Sequence, residues 1–269
     1  MWMRISFYFF LNYFGYPEFE EHTLFILQNM ENTSQEMKIL SIDIGGTNVK
    51  ATVLDQNGEL LQEYKKVKTP DPATPEKLLE AINILLKGFI SYDMVSVGFP
   101  GYVKDGVIFT APNLDTNFWK DVDFRKLISD SLNKPVRLVN DSDMQGLGVV
   151  SGKGLEMIIT LGTGFGSALL LNGHLLPHLE IAQHPFTKNK TYDTYIGDEV
   201  LKDKGLIRWN KRMERVLKVL KRVFNYDRLY IGGGNADKLN FKLDENIKII
   251  TNKDGIKGGA RLWQEDGLK

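Results

Sequence analysis

Three short runs in this chain combine residue types and spacing that could hold phosphate. They are Asp43-Ile44-Gly45-Gly46-Thr47-Asn48, Leu161-Gly162-Thr163-Gly164-Phe165-Gly166-Ser167 and Ile231-Gly232-Gly233-Gly234-Asn235. Each follows an apolar run of strand type. Glycine lets a backbone approach a ligand closely and aim its N–H groups at it, and phosphate oxygens suit such nests. One glycine turn alone is equally good turn chemistry; three, each closing a buried strand, are more specific. Asp43 stands ahead of the first turn, where a carboxylate could hold Mg²⁺, directly or through water, beside donor phosphates. The structural alternative is an Asp that hydrogen-bonds its own turn. Other glycine motifs fit badly. GxxxxGK[ST] is absent, and Gly162-Thr163-Gly164-Phe165-Gly166 has the wrong spacing for GxGxxG and leads into a strand. A P-loop NTPase and a dinucleotide-binding dehydrogenase are therefore excluded.

The elements that must position these turns can be read from periodicity. Lys38 to Ile44 and Val49 to Leu54 read as strands, and Asn57-Gly58 is a hairpin signal leading to a third strand over Leu60 to Val67. Thr74-Pro75 opens a helix, with Thr74 as N-cap and Leu78, Leu79, Ile82, Leu85 and Leu86 at helical spacing. Met94 to Phe99 reads as a buried strand, Val103 to Thr110 as a hairpin, and Phe124 to Leu132 as a helix. Val136 to Val139 is a strand ending at Asn140-Asp141.

The grammar then repeats. Strands are expected at Met157 to Leu161 and Ser167 to Leu171, with a turn at Asn172-Gly173. His178 to Tyr195 reads as a long polar loop, of the kind that is usually functional. Helices from about Asp198 to Asn225, strands at Arg228 to Ile231 and Ile247 to Thr251, and a helix at Lys257 to Trp263 complete the pattern. Two halves opening alike imply two α/β lobes, 37–135 and 136–269.

In order, Asp43-Ile44-Gly45-Gly46-Thr47-Asn48-Val49-Lys50, Gly98-Phe99-Pro100-Gly101, Asn140-Asp141 and Leu161 to Gly166 resemble the ROK family of sugar kinases. Ala111-Pro112-Asn113-Leu114-Asp115 before Phe118-Trp119, and Pro177-His178-Leu179-Glu180, resemble its polyphosphate glucokinase-like branch. The resemblance runs from about Ile39 to Ala260. It implies an α/β, actin/hexokinase-like (ribonuclease H-like) two-lobe fold with mixed sheets. It implies transfer of a phosphoryl group from polyphosphate or ATP to a hexose, with glucose giving glucose 6-phosphate, by a protein expected to be a homodimer. Gly45, Gly46, Thr47, Asn48 and Lys50, with Gly162, Thr163 and Gly164, would clasp the donor phosphates. Gly232, Gly233 and Gly234 would lie near an adenosine or along a polyphosphate chain. Asn140 and Asp141 would bind the sugar, with Asn113, Glu180 and the backbone of Gly101.

The chain also departs from the family. Most members carry a zinc site of one His and several Cys, whereas this chain has no Cys, so zinc is not expected. The family motif Glu-x-Gly-His runs here as Glu180-Ile181-Ala182-Gln183, with His184 one place later, so either Gln183 or His184 takes the histidine's role. That change suggests an alternative, a sugar-binding sensor without catalysis. An actin-like assembly protein is a further alternative, disfavoured by the sugar-type pair Asn140-Asp141 together with Glu180.

For the kinase reading, Asp141 at the mouth of a strand is the candidate general base, since a protonated sugar hydroxyl is a poor nucleophile. The structural alternative is that Asn140-Asp141 only caps the next helix, a task Asp143 could also take. Lys50 is either a phosphate contact or a solvated lysine. The row Lys202, Lys204, Arg208, Lys211, Arg212, Arg215, Lys218, Lys221 and Arg222 is either a solvated helix face or a guide for a long polyanion.

Composition sets outer bounds. The chain has 269 residues, 42% hydrophobic and 25% charged, with 34 Lys plus Arg against 34 Asp plus Glu. That balance offers no electrostatic footprint for nucleic acid or a membrane surface. The absence of Cys excludes disulfides and fits a cytoplasmic protein. Residues 1–36 do not conform to the rest: Trp2 to Tyr16 is dense in Phe and Tyr, and the apolar run is short for a membrane span. They read as a disordered extension or a start codon placed too early, with Met30 or Met37 as the true start.

Overall fold

A computed structural model describes residues 37–265; the expectations for residues 1–36 lie outside the described residues. The chain opens with β1 (Ile39–Ile44), β2 (Asn48–Leu54) and β3 (Lys65–Lys68). Helix α1 (Pro75–Leu85) follows, with the Thr74 hydroxyl accepting from the Lys77 N–H and Pro75 at its first turn. Next come β4 (Met94–Phe99), the hairpin β5 (Val103–Lys104) and β6 (Val107–Ile108), and the short helix α2 (Thr116–Trp119). Then follow β7 (Val122–Asp123), α3 (Phe124–Leu132) and β8 (Val136–Asn140).

These strands build a five-stranded sheet ordered β3-β2-β1-β4-β8. The first three strands are antiparallel, whereas β4 and β8 run parallel to β1. Strand β8 is thus an edge of the first sheet, pairing Val95 with Val136. A lobe boundary at Pro135 would cut this strand from its sheet, so the sheets divide after Asn140 instead. The third strand also starts later than expected. Only an isolated bridge joins Leu54 to Leu60, and regular pairing resumes at Lys65.

The second half is α4 (Asp141–Val149), β9 (Leu155–Leu161), β10 (Phe165–Leu171), β11 (His174–Leu175), the hairpin β12 (Pro185–Thr187) and β13 (Lys190–Thr191), and α5 (Tyr192–Ile196). It continues with α6 (Asp198–Phe224), β14 (Arg228–Gly232), β15 (Ile247–Ile249), α7 (Asn252–Ile256) and α8 (Gly258–Arg261). Its sheet is ordered β11-β10-β9-β14-β15 and repeats the first: antiparallel across β9-β10-β11, parallel across β9-β14-β15.

The stretch expected to be a polar loop is ordered into a 3₁₀ turn (Ile181–Gln183), the β12-β13 hairpin and α5. Its aromatic residues are the reason. Phe186 and Tyr195 pack together with ring centroids 4.6 Å apart, and Arg212 and Arg215 of α6 lie over these rings. Helix α6 breaks at Gly205, whose φ of 74° no helix accommodates.

Each half has its own core. Phe99, Trp119 and Phe124 form a buried aromatic cluster beneath the first sheet, with centroids 4.8 and 4.9 Å apart, and the Trp119 indole donates to the Ala73 carbonyl at 2.8 Å. Each such side chain contributes roughly 1.5–3 kcal/mol by leaving water. In the second half Trp209, Met213, Val216 and Leu220 of α6 are buried with Met157, Ile159 and Leu229. Helix α4 joins the two. Met144 and Leu147 pack with Val139 at the end of β8 and with Ile158, Leu170 and Tyr230 of the second sheet. The C-terminal segment braces this junction: the Ser41 hydroxyl donates to the Ile256 carbonyl at 2.9 Å, and Arg261 reaches the Leu147 carbonyl at 2.9 Å.

Candidate active site

The carboxyl ends of the parallel strands converge on one cleft. Turn 45–47 closes β1, turn 162–164 closes β9, and Gly233 and Gly234 follow β14; Asn140-Asp141 ends β8 and Gly101 follows β4. In open α/β sheets this is where ligands bind. The cleft encloses about 300 Å³. Asp43, Gly45, Gly46, Thr47, Asn48, Lys50, Gly101, Asn113, Asn140, Asp141, Gly162, Thr163, Gly164, Glu180, Gly233 and Gly234 all line it.

Two expected residues do not. Gly232 is the last residue of β14 and faces the Ile250 side chain. His184 is exposed outside the cleft, with its ring 6.3 Å from that of Tyr192. The 3₁₀ turn leaves Gln183 on the cleft wall and His184 off it.

The turns are held open by local bonds. The Gly45 N–H donates to the Asn48 carbonyl at 3.0 Å, and the Thr69 hydroxyl donates to the Gly45 carbonyl at 2.6 Å. Asp193, at the start of α5, accepts the Phe165 N–H at 2.7 Å and so pins the second turn. At Gly233 a φ of 86° meets close packing: a Cβ there would collide with the Leu161 backbone. At Gly162 and Gly234 a Cβ would meet nothing within 4 Å, so both face open cleft.

Asn140 and Asp141 have divided the tasks that the sequence left open. The Asn140 side chain caps α4, its oxygen accepting the Ser142 N–H at 2.8 Å and the Asp143 N–H at 3.4 Å, while its amide donates to the Gly101 carbonyl at 3.1 Å. Its polar atoms are thus engaged by backbone, and it fixes β8, α4 and the Gly101 turn together. Asp141 lies one residue further. Its Oδ1 accepts the Ser142 N–H at 2.8 Å, leaving Oδ2 for a substrate. Desolvation and then the charge of Asp43 push its carboxyl up to about 7, against the pull of the Ser142 N–H.

Asp43 pairs with the Lys50 ammonium at 3.2 Å. Burial pulls the Lys50 ammonium down, but Asp43 and Tyr64 together outweigh it and the net shift is upward. The lysine is therefore a held cation on the cleft wall, not a solvated one.

Sequence reasoning missed His178 and Asp143. The Nδ1 of His178 lies 3.0 Å from Asp143 Oδ2, and its Nε2 lies 3.1 Å from Glu180 Oε1. Asp143 therefore does not cap α4. The pair is separated by 35 residues in sequence, so no local signal joins them. Gln145, Thr160 and Asp193 also line the cleft without a sequence motif to announce them.

The cationic row lies elsewhere. None of its residues lines the cleft. Lys202, Lys204 and Lys221 pair with Asp198, Asp203 and Asp244 at 2.6, 2.7 and 2.6 Å. Among the described residues no helix is long and apolar enough to cross a membrane.

Comparison with known proteins agrees with this geometry. The model of the ROK family matches residues 39–178. The polyphosphate glucokinase of Mycobacterium leprae is 33% identical over 239 residues, which is 85% of this chain and 72% of that protein. A polyphosphate glucokinase of Mycobacterium tuberculosis strain H37Rv is 32% identical over 229 residues, 81% of this chain and 84% of that protein. The inorganic polyphosphate/ATP-glucomannokinase of Arthrobacter sp. strain KM superposes with a TM-score of 0.77 at 30% identity, over 85% of this chain and 99% of that one. A ROK glucokinase from Streptomyces griseus, solved with glucose and AMPPNP, shares the fold, with a TM-score of 0.70 at 19% identity over 84% of this chain and 98% of that one. The repeated mixed sheets are those of the actin/hexokinase-like fold, and the chain belongs to the ROK family.

Proposed function

We propose that the protein is a hexose kinase that transfers the terminal phosphoryl group of polyphosphate or ATP to a hexose, with glucose as the expected acceptor. The observation that carries this reading is the meeting of Asp141 with the glycine turns in one cleft. Asp141 Oδ2 accepts the proton of the sugar hydroxyl as the sugar oxygen bonds to the terminal phosphorus. The bond from that phosphorus to its bridging oxygen breaks, and ADP or a shortened polyphosphate leaves with the electron pair. A carboxyl with a pKa of about 7 suits this task, since a base works best when its pKa lies near the working pH. The turns at 45–47 and 162–164 supply N–H groups for the donor phosphates, and Lys50 adds a cation. Glu180, Asn113 and the Gly101 backbone orient the sugar.

Asp43 fits a role beside Mg²⁺. It is an oxygen donor on the cleft wall, and its negative charge bears on Asp141. Among the described residues no group of three His, Cys, Asp or Glu side chains is arranged to hold a metal ion, so an ion here would be shared with phosphate and water. When bound, Mg²⁺ supplies charge neutralisation at the transferring phosphate.

The sensor reading, suggested by the altered motif at Glu180, is disfavoured because Asp141 lines the cleft with only its Oδ1 taken by the Ser142 N–H. We further propose a homodimer, as the family resemblance implies, and a cytoplasmic location, which the absence of Cys fits. The test is phosphoryl transfer with Mg²⁺ and a panel of hexoses, ATP and polyphosphate being supplied separately. Sugar phosphate from either donor supports the kinase. Sugar binding without product from both donors refutes it in favour of the sensor.

A further inference from the structure

His178 is engaged on three sides. Asp143 faces its Nδ1 at 3.0 Å, Glu180 faces its Nε2 at 3.1 Å, and the Tyr102 ring stacks on it at 6.0 Å with planes 18° apart. Its side chain is 7% exposed, that of Asp143 8%, and that of Glu180 26%. Ionised carboxylates only accept hydrogen bonds. Two of them can flank one imidazole only if both ring nitrogens donate, so the pair of contacts selects the imidazolium. Burial pulls the other way, yet the two carboxylates hold the ring up to about 10. The remaining oxygen of Asp143, Oδ1, is buried without a partner, so the His178 contact is the bond that compensates this carboxylate in the interior.

The consequence lies at Glu180. This residue sits on the turn after β11, a segment with no regular partner of its own, and no side-chain bond caps the 3₁₀ turn it opens. Its Oε1 is taken by His178, so on this residue of the cleft wall Oε2 is the oxygen that remains. Asp143 lies two residues beyond Asp141 on α4. The chain Asp143–His178–Glu180 therefore ties the wall that carries Glu180 to the helix that carries Asp141. On the other side of Glu180 the cleft wall carries Gln183, which cannot carry a charge.

We infer that His178 is the positioning residue of the hexose site, an imidazolium clamp that fixes one oxygen of Glu180 and thereby aims the other at the sugar hydroxyls. This rests on the hexose-kinase reading. The clamp acts on acceptor binding and leaves the donor turns untouched. Loss of a charge-assisted hydrogen bond to a binding group is worth about a tenfold change in affinity.

The test compares the wild type, His178→Gln, Glu180→Gln and the double variant. Glucose affinity is measured by titration calorimetry, and KM for glucose and for each donor by steady-state kinetics. His178→Gln is expected to raise the glucose Kd and KM about tenfold, with donor KM within twofold of the wild type. In the Glu180→Gln background the same change should add less than twofold, because the residue it positions is already disabled. Additive losses, or equal losses for glucose and donor, overturn the clamp, since a general loosening of the fold would move both substrates and ignore the background. Should His178→Gln not fold, Asp143→Asn keeps the shape and removes the charge that holds Nδ1. It is expected to raise the glucose Kd about threefold with donor KM unchanged, and no change in glucose affinity overturns the clamp. A wild type that binds glucose but turns over neither donor refutes the kinase reading, and the Kd values alone then decide the clamp. A wild type that does not bind glucose or any other hexose of the panel overturns both.

Discussion

Replacing Asp141 by Asn should abolish most turnover and, at alkaline pH, stabilise the empty protein. The two effects have one cause. The carboxyl is pushed from the ordinary 3.8 to about 7 by desolvation first and by Asp43 second. A group whose folded pKa is raised favours the fold in its protonated form; that advantage is complete below the unfolded pKa and is lost as pH rises through about 7. The difference of about 3 units corresponds to a ceiling of about 4 kcal/mol, which cleft water reduces to roughly 2 kcal/mol. Asn has the same shape and keeps an oxygen for the Ser142 N–H, so little packing is lost.

Denaturant titration of the ligand-free protein should show Asp141→Asn more stable by roughly 2 kcal/mol at pH 8.5 and nearly equal to the wild type at pH 4. In the same variant kcat should fall ~10²–10⁴-fold, the usual worth of a general base. The wild-type kcat/KM should rise with pH through an apparent pKa near 7 and then level off. A kcat loss under tenfold in folded protein would refute the base. A variant less stable than the wild type at pH 8.5 would refute the electrostatic account of Asp141.

Four further outcomes follow from other parts of the structure. Asn140→Ala should cost about 2 kcal/mol by chemical denaturation, since the cap of α4 and the bond to the Gly101 carbonyl are lost together. Gly233→Ala should weaken donor affinity and lower the melting temperature, because the Leu161 backbone leaves no room for a Cβ at a φ of 86°. Glu156 accepts the N–H groups of Ser151, Gly152 and Lys153 and the hydroxyls of Ser151 and Tyr230. Burial raises its carboxyl, but these bonds bring it below its usual value, so its stabilisation is present above the ordinary carboxylate range and lost on acidification; Glu156→Gln should cost about 2 kcal/mol at pH 7 and much less at pH 3. If the exposed cations Arg208, Lys211, Lys218 and Arg222 guide polyphosphate, kcat/KM for polyphosphate should fall steeply with salt while that for ATP stays nearly flat; parallel curves would assign the row to solvation.

Features set by neighbouring residues could be read from the chain. The Thr74 cap, the helix at Phe124–Leu132, the hairpin within Val103 to Thr110 and the turn at Asn172-Gly173 all depend on local chemistry, and each stands where the pattern placed it. The three glycine turns were legible for the same reason. What could not be read depends on partners far away in sequence. The pairing of β8 with β4 that moves the sheet boundary joins Val95 to Val136, and the ordering of residues 181–196 depends on Arg212 and Arg215 covering Phe186 and Tyr195. A 3₁₀ turn of three residues has no periodicity to detect, yet it decides that Gln183 and not His184 meets the cleft.

The duplicated sheets explain why a base can sit among phosphate turns at all. Each half ends its parallel strands at the same edge, so one half brings Asp43, Gly45 and Gly101 and the other brings Gly162 and Gly233. A base belonging to only one half would lose its register whenever the halves shift. Asp141 avoids this because α4 starts at the last strand of the first sheet and packs against the second through Ile158 and Leu170. Asn140 locks the start of that helix to the Gly101 turn, and Asp143 reaches the wall that carries Glu180 through His178. Within a few residues the chain thus fixes the proposed base Asp141, the Gly101 turn and the proposed sugar-binding Glu180 to one helix.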